Sequence, residues 1–169
     1  MKTKFVLKFI KFSFLILATS ILLFRCSSSH KVAKLSSNEI KNVIDSSQFI
    51  FVAERVNPLR GSTRYLTSRY DVVIKKDTIA CDLPYFGRAF QAPIDPSKGG
   101  IHFVSYNFST NINSKNENEW EVLIKPNDNA DVQQLSFDIF NNGTATLNIT
   151  NTHRDPISFY GHIERIKEQ

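Results

Sequence analysis

Cysteine is nearly missing from this chain: of 169 residues only Cys26 and Cys81 carry a thiol. Two cysteines so far apart make neither a disulfide framework nor a zinc spacing. The four histidines, His30, His102, His153 and His162, are scattered without metal-ligand spacing. No G-x-S-x-G, H-E-x-x-H, Walker loop or dinucleotide fingerprint occurs. The sequence therefore nominates no catalytic residue, no cofactor and no metal ligand. There is no internal repeat and, outside residues 12–24, no long apolar run. An excess of one charge is also absent once the N-terminus is set aside. The whole chain has 21 Lys+Arg against 16 Asp+Glu, a net charge of +5. Lys2, Lys4, Lys8, Lys11 and Arg25 supply all of that excess, and residues 1–25 contain no acid. From Cys26 onward the chain is neutral, so global basicity gives no support for a nucleic-acid partner.

What the N-terminus does contain is a basic start followed by FSFLILATSILLF, residues 12–24. A charged region followed by an apolar one has the pattern of a secretory signal. As a helix, those 13 residues reach about 20 Å, short of a hydrocarbon core of ~30 Å. A retained anchor would need Lys8 and Lys11 to snorkel. The next residues, Leu23-Phe24-Arg25-Cys26, resemble the lipobox of bacterial lipoproteins, in which the chain is cut before a cysteine that becomes acylated. Leu23 fits that pattern, whereas Arg25 departs from the small residue that normally precedes the cut. A conventional cut after Ser29 is the rival. The expected organisation is a signal peptide at 1–25, a Ser-rich tether at 26–34 and one domain at 35–169. The 144 residues after the cut suit a single core.

A helix is expected at about 37–46. Ser36 and Glu39 form a capping box, Leu35 can staple onto Ile40, and Ile40, Val43 and Ile44 make one apolar stripe. From Phe49 the pattern becomes that of strands. FIFVAERV, YLTSRYDVVI, DTIACDL, GIHFVSYNFS, NEWEVLIK, VQQLSFDIF, TATLNIT and ISFYGHIERI are rich in β-branched and aromatic residues and are separated by turn signals. Short connections favour antiparallel pairing. The expectation is a mainly β domain of about eight antiparallel strands, a curled meander or a sandwich, with the helix covering an open face or end. Cys81 alternates with Ile79 and Leu83 and belongs on the apolar face of its strand. Gly161, within a strand pattern, suggests a bulge or a close approach by a neighbour.

The segment LSFDIFNNGTATLNI predicts its own register. A two-residue Asn142-Gly143 loop would set Phe137 against Asn148 and Ile139 against Thr146. A three-residue loop, Asn141 to Gly143, pairs Ile139 with Ala145, Phe137 with Leu147 and Leu135 with Ile149, giving one apolar face. The second is expected, with Gly143 left-handed.

Several stretches together resemble a family of small Bacteroidota envelope lipoproteins whose domain has no assigned function. They are F-V-A-x-R-x-N-P at Phe51 to Pro58, L-T-S-x-Y-D at Leu66 to Asp71, L-P-Y-F-G-R-A at Leu83 to Ala89, Gly99-Gly100-Ile101, and Ser158-Phe159-Tyr160-Gly161. The resemblance covers nearly the whole chain after residue 25. It implies an envelope location and a lipid anchor on Cys26, and it brings no catalytic residues. Ser27 to Lys31 contain no acid, unlike the acidic surface-export signal of related phyla, so an outer-membrane anchor facing the periplasm is expected.

Residues 54–88 hold seven basic and four acidic side chains, whereas residues 107–169 hold five basic and nine acidic ones. Arg forks bind carboxylates and phosphates, which envelope polymers offer. Arg55, Asn57, Arg60, Arg64, Tyr85, Arg88 and Phe90 are the candidate ligand-binding residues. The bland alternative pairs these arginines with the acidic half and packs the aromatics into the core. Glu117, Glu119 and Glu121 alternate along one strand face, as on a solvated surface or a guarded sheet edge. Asp77-Thr78-Ile79 resembles a short O-glycosylation acceptor, with Thr78 as the modified residue. The expected function is a non-enzymatic, lipid-anchored envelope domain that binds a polymer or a partner protein. Alternatives are a hydrolase of envelope glycans or peptides, for which no carboxylate pair is nominated, and an assembly lipoprotein joining a complex through an edge strand.

Overall fold

The computed structural model describes residues 35–91 and 99–166. The segments expected to be a signal peptide and a tether, with Cys26, lie outside the described residues. Among the described residues one helix, α1 (Ser37–Asp45), is followed by nine strands: β1 (Phe49–Pro58), β2 (Arg64–Ile74), β3 (Ile79–Leu83), β4 (Ile101–Ser105), β5 (Phe108–Asn116), β6 (Glu119–Pro126), β7 (Val132–Phe140), β8 (Thr144–Asn151) and β9 (Ile157–Glu164). They form a single antiparallel sheet in the order β4-β3-β2-β1-β9-β8-β7-β6-β5. The sheet curls into a half-barrel. Its middle is the β1–β9 pair, formed by the first and last strands. β1 to β4 step outward on one side of it, and β5 to β9 step back inward from the other.

The count is nine rather than eight because GIHFVSYNFS is not one strand. It breaks at Tyr106-Asn107 into β4 and β5, the two edges of the sheet. Asp128 holds that corner. Its carboxylate accepts from Ser105 Oγ at 2.5 Å and from the Tyr106 and Asn107 amides at 2.9 and 3.1 Å. Ser105 is fully buried, so its hydroxyl needs this partner. β6 is an interior strand, paired on both sides, and Glu117 lies in the turn before it. The edge-guard reading of Glu117, Glu119 and Glu121 is thereby corrected. Lys115 on β5 instead reaches Glu119 at 3.5 Å, Glu121 at 4.0 Å and Asp138 at 2.5 Å.

The inward face is apolar. Phe49, Phe51, Val72, Ile74, Val122, Ile124, Leu135, Phe137, Leu147, Ile149 and Phe159 are all essentially sealed from water. The Phe137 ring meets Phe49 and Phe51 edge-on at 5.6 and 5.7 Å. Ile40, Val43 and Ile44 of α1 join this core. A nine-residue helix is marginal alone, so burial of that stripe holds it in place. At its start, the Ser36 amide and hydroxyl both donate to Glu39 Oε2, at 2.9 and 2.8 Å. Cys81 is buried, and loss of hydration, with Asp82 and Asp71 nearby, pushes its thiol well above the usual range.

The β7–β8 hairpin has the three-residue register. Ile139 faces Ala145, Phe137 faces Leu147 and Leu135 faces Ile149. Gly143 has φ +82, and its amide donates to Phe140 O at 2.9 Å. The close approach at Gly161 is also present. β1 bulges between Ala53 and Arg55, which brings the Val52 carbonyl into the space that a Gly161 Cβ would need.

Candidate functional site

Strand directions decide which loops meet. β1 ends at Pro58 opposite Ile157, so the β1–β2 turn and the β8–β9 turn share one end of the sheet. α1 lies at the other end, where Ile40 approaches Gly143 of the β7–β8 turn. β3 pairs with only the last four residues of β2, the pairing ending where Asp82 faces Asp71. The chain then runs along the uncovered half of β2 as Pro84 to Gln91, reaching the β8–β9 turn. There the Phe90 amide donates to His153 O at 2.8 Å and the Asp155 amide to Arg88 O at 2.9 Å. Ala89 and Arg154 form a β-bridge.

This docking gathers five of the nominated residues. Arg64 stacks over Phe86 at 4.9 Å, and Arg88 over Phe90 at 5.8 Å. The Tyr85 hydroxyl lies 2.9 Å from Arg88 O and 3.0 Å from Asp155 O. Its phenol is held above the ordinary value, first by burial and then by the Asp155 charge. Arg60, in the β1–β2 turn, places Nε 3.8 Å from Asp155 Oδ2. Phe90 is 62% exposed, unlike a core anchor. Among the described residues Arg64 and Arg88 have no carboxylate partner.

The other two nominated residues stand apart. Arg55 is on the outer face, its guanidinium 4.3 Å from the Tyr160 ring and 5.9 Å from Tyr65. Asn57 flanks the turn and accepts from Thr63 Oγ1 at 2.7 Å. Thr78 sits in the β2–β3 turn, donating to Asp77 Oδ1 at 3.0 Å. Part of the basic segment does pair with the acidic half: Arg69 meets Glu164 at 2.9 Å.

Sequence reasoning missed Arg154 and Asp155. Arg154 donates to Gly99 O and Gly100 O at 3.1 and 2.8 Å and lies 5.2 Å from the Tyr85 ring. Asp155-Pro156 reads as a solvated turn, yet the Asp155 side chain is only 7% exposed. The only hint was a basic residue beside it in an otherwise acidic half.

A second polar cluster crosses β2, β1 and β9 on the outer face. His162 Nδ1 meets Glu54 at 2.8 Å, and its Nε2 meets Glu164 at 3.3 Å. It ties three strands together on an open sheet surface. Among the described residues no three His, Cys, Asp or Glu side chains converge to hold a metal ion, and no helix is long and apolar enough to cross a membrane.

The chain matches no curated protein. It is similar in fold to a DUF4251 family protein from Bacteroides eggerthii DSM 20697, whose crystal structure was solved at 1.95 Å, with a TM-score of 0.52 and 16% sequence identity over 76% of this chain and 87% of that one. The model of the domain of unknown function DUF4251 matches residues 31–163, most of the sequence and all nine strands but the last residue of β9, and the chain belongs to that family.

Proposed function

We propose that this is a lipid-anchored envelope protein whose domain is a binding module for an anionic envelope polymer. The carrying observation is the arginine end of the sheet. Arg64 and Arg88 rest on the rings of Phe86 and Phe90 without a carboxylate partner among the described residues. A guanidinium stacked on a ring is pre-oriented, which lowers the entropy lost on binding, and it keeps its donor fork open to a carboxylate or phosphate. An exposed ring such as Phe90 offers the flat apolar contact that a sugar or peptide backbone uses. Cys26 is the expected attachment point for the lipid.

The test uses detergent-solubilised protein from native envelopes, with its N-terminal mass read from the same preparation. Arg60→Ala combined with Arg88→Ala is expected to reduce cosedimentation with purified cell-wall sacculi several-fold, and added salt should do the same to the wild type. Unchanged sedimentation with an intact circular-dichroism spectrum would remove the arginine end as the binding surface. An unacylated N-terminus would remove the anchor.

A further inference from the structure

Asp155 is held from both sides by its backbone. Its amide donates to Arg88 O, while its carbonyl accepts from the Tyr85 hydroxyl and from Asn151 Nδ2 at 3.4 Å. The side chain therefore has a fixed direction and is more than nine-tenths buried. Even so, Oδ2 is sealed from water and has no hydrogen-bond donor. A buried carboxylate oxygen without a donor is costly, and native proteins rarely keep one without a use. The Arg60 guanidinium stands over it, but 3.8 Å is too long for a hydrogen bond, and the Arg60 side chain is 72% exposed. The cover is a long, largely exposed side chain, and an exposed ion pair of that kind costs little to rearrange.

Around this oxygen the chemistry is of two signs. The buried point is an acceptor without a donor. The rim carries Arg60, together with Arg64 and Arg88 on their aromatic supports Phe86 and Phe90. A plain polyanion meets the Asp155 charge at the bottom, and a plain cation meets guanidinium groups on the way in. A group with a positive donor and a negative acceptor on neighbouring atoms satisfies both.

We propose that the site takes a zwitterionic α-amino acid centre, such as the unlinked side-chain centre of a diamino-dicarboxylic residue in a peptide branch of an envelope polymer. Its ammonium displaces Arg60 and donates to Asp155 Oδ2, and its carboxylate is forked by the displaced Arg60 guanidinium. This deepens the polymer-binding reading and rests on it. Asp155 is the selectivity element, separating amino-acid ends from phosphate-rich or uronate-rich polymers that carry only negative charge.

The test is calorimetric titration of the mature protein with diaminopimelic acid, its N,N′-diacetyl derivative and its dimethyl ester. The free acid is expected to bind about tenfold or more tightly than either derivative, the loss associated with one charge-assisted hydrogen bond. Asp155→Asn should abolish the preference over the diacetyl form. Arg60→Ala, at an exposed position, should abolish the preference over the ester. The ligand series on wild-type protein needs no variant, so a folding defect in Asp155→Asn does not block the answer. Equal affinity for the free and diacetyl forms, no binding of the free acid, or a preference that survives Asp155→Asn would each overturn the assignment. If sacculi still sediment the wild type in an arginine-dependent way, the zwitterion has failed and the polymer reading stands. If they do not, both have failed.

Discussion

Gly161 is a glycine because β1 bulges at Glu54 and pushes the Val52 carbonyl toward β9. Gly161→Ala drives a methyl group into that backbone oxygen and is expected to cost about 1–3 kcal/mol in urea unfolding. Gly99→Ala is the control, since an added Cβ there meets nothing within 4 Å, and it should change stability by less than about 0.5 kcal/mol. The need at Gly161 was legible in the sequence, because a glycine interrupting strand alternation has few other causes. The burial of Asp155 was not. Asp-Pro is a turn signal, and turns are usually wet. The residues that cover this one come from Tyr85 to Arg88 and from Arg60, far away along the chain.

Elements were legible to the extent that one face of each is apolar. The β7–β8 register followed from matching apolar faces across the loop. β5 escaped notice because its sequence, FSTNINSKN, buries almost nothing: it is an edge, and Ile112 is its one aliphatic contact with the core. Across the central elements, Arg69 of β2 ties to Asp71 beside it and to Glu164 of β9, each at 2.9 Å. Burial alone would raise the Glu164 carboxyl, but hydrogen bonds from Arg69 and His162, with their charges, carry it below the ordinary value of 4.5. A depressed carboxylate contributes stability that is full above the unfolded value and is lost as pH falls through the folded one. Arg69→Ala is therefore expected to lower stability by about 1 kcal/mol at neutral pH, the upper range for a partly exposed pair. That gap should close as pH drops below 4.5. Urea unfolding of both proteins across that range checks it. A gap independent of pH would mean that Arg69 acts through packing alone.

At the scale of the molecule, the antiparallel, mainly β class was visible in the strand pattern, whereas the order of strands was not. Local turns report which neighbours pair, and seven of the eight pairings join consecutive strands. The eighth, β1 with β9, joins residues about a hundred positions apart and has no local signal. A chain ending at Pro156 lacks β9 and so loses the strand that unites two otherwise separate meanders. It is expected to show no cooperative unfolding transition by circular dichroism. A sigmoidal transition at a modestly lower urea concentration would show that the two halves do not need it. The central pair also has a kinetic meaning. Contacts between distant residues form slowly because a long loop must close first. Made or threaded through a pore with its N-terminus leading, this chain presents β1 before its partner exists, and the unpaired side of that strand must wait for the final residues. In that interval the middle of the future sheet is an exposed edge, open to capture by another chain. Until β9 emerges, the most protected part of the finished fold is the most vulnerable part of the nascent one.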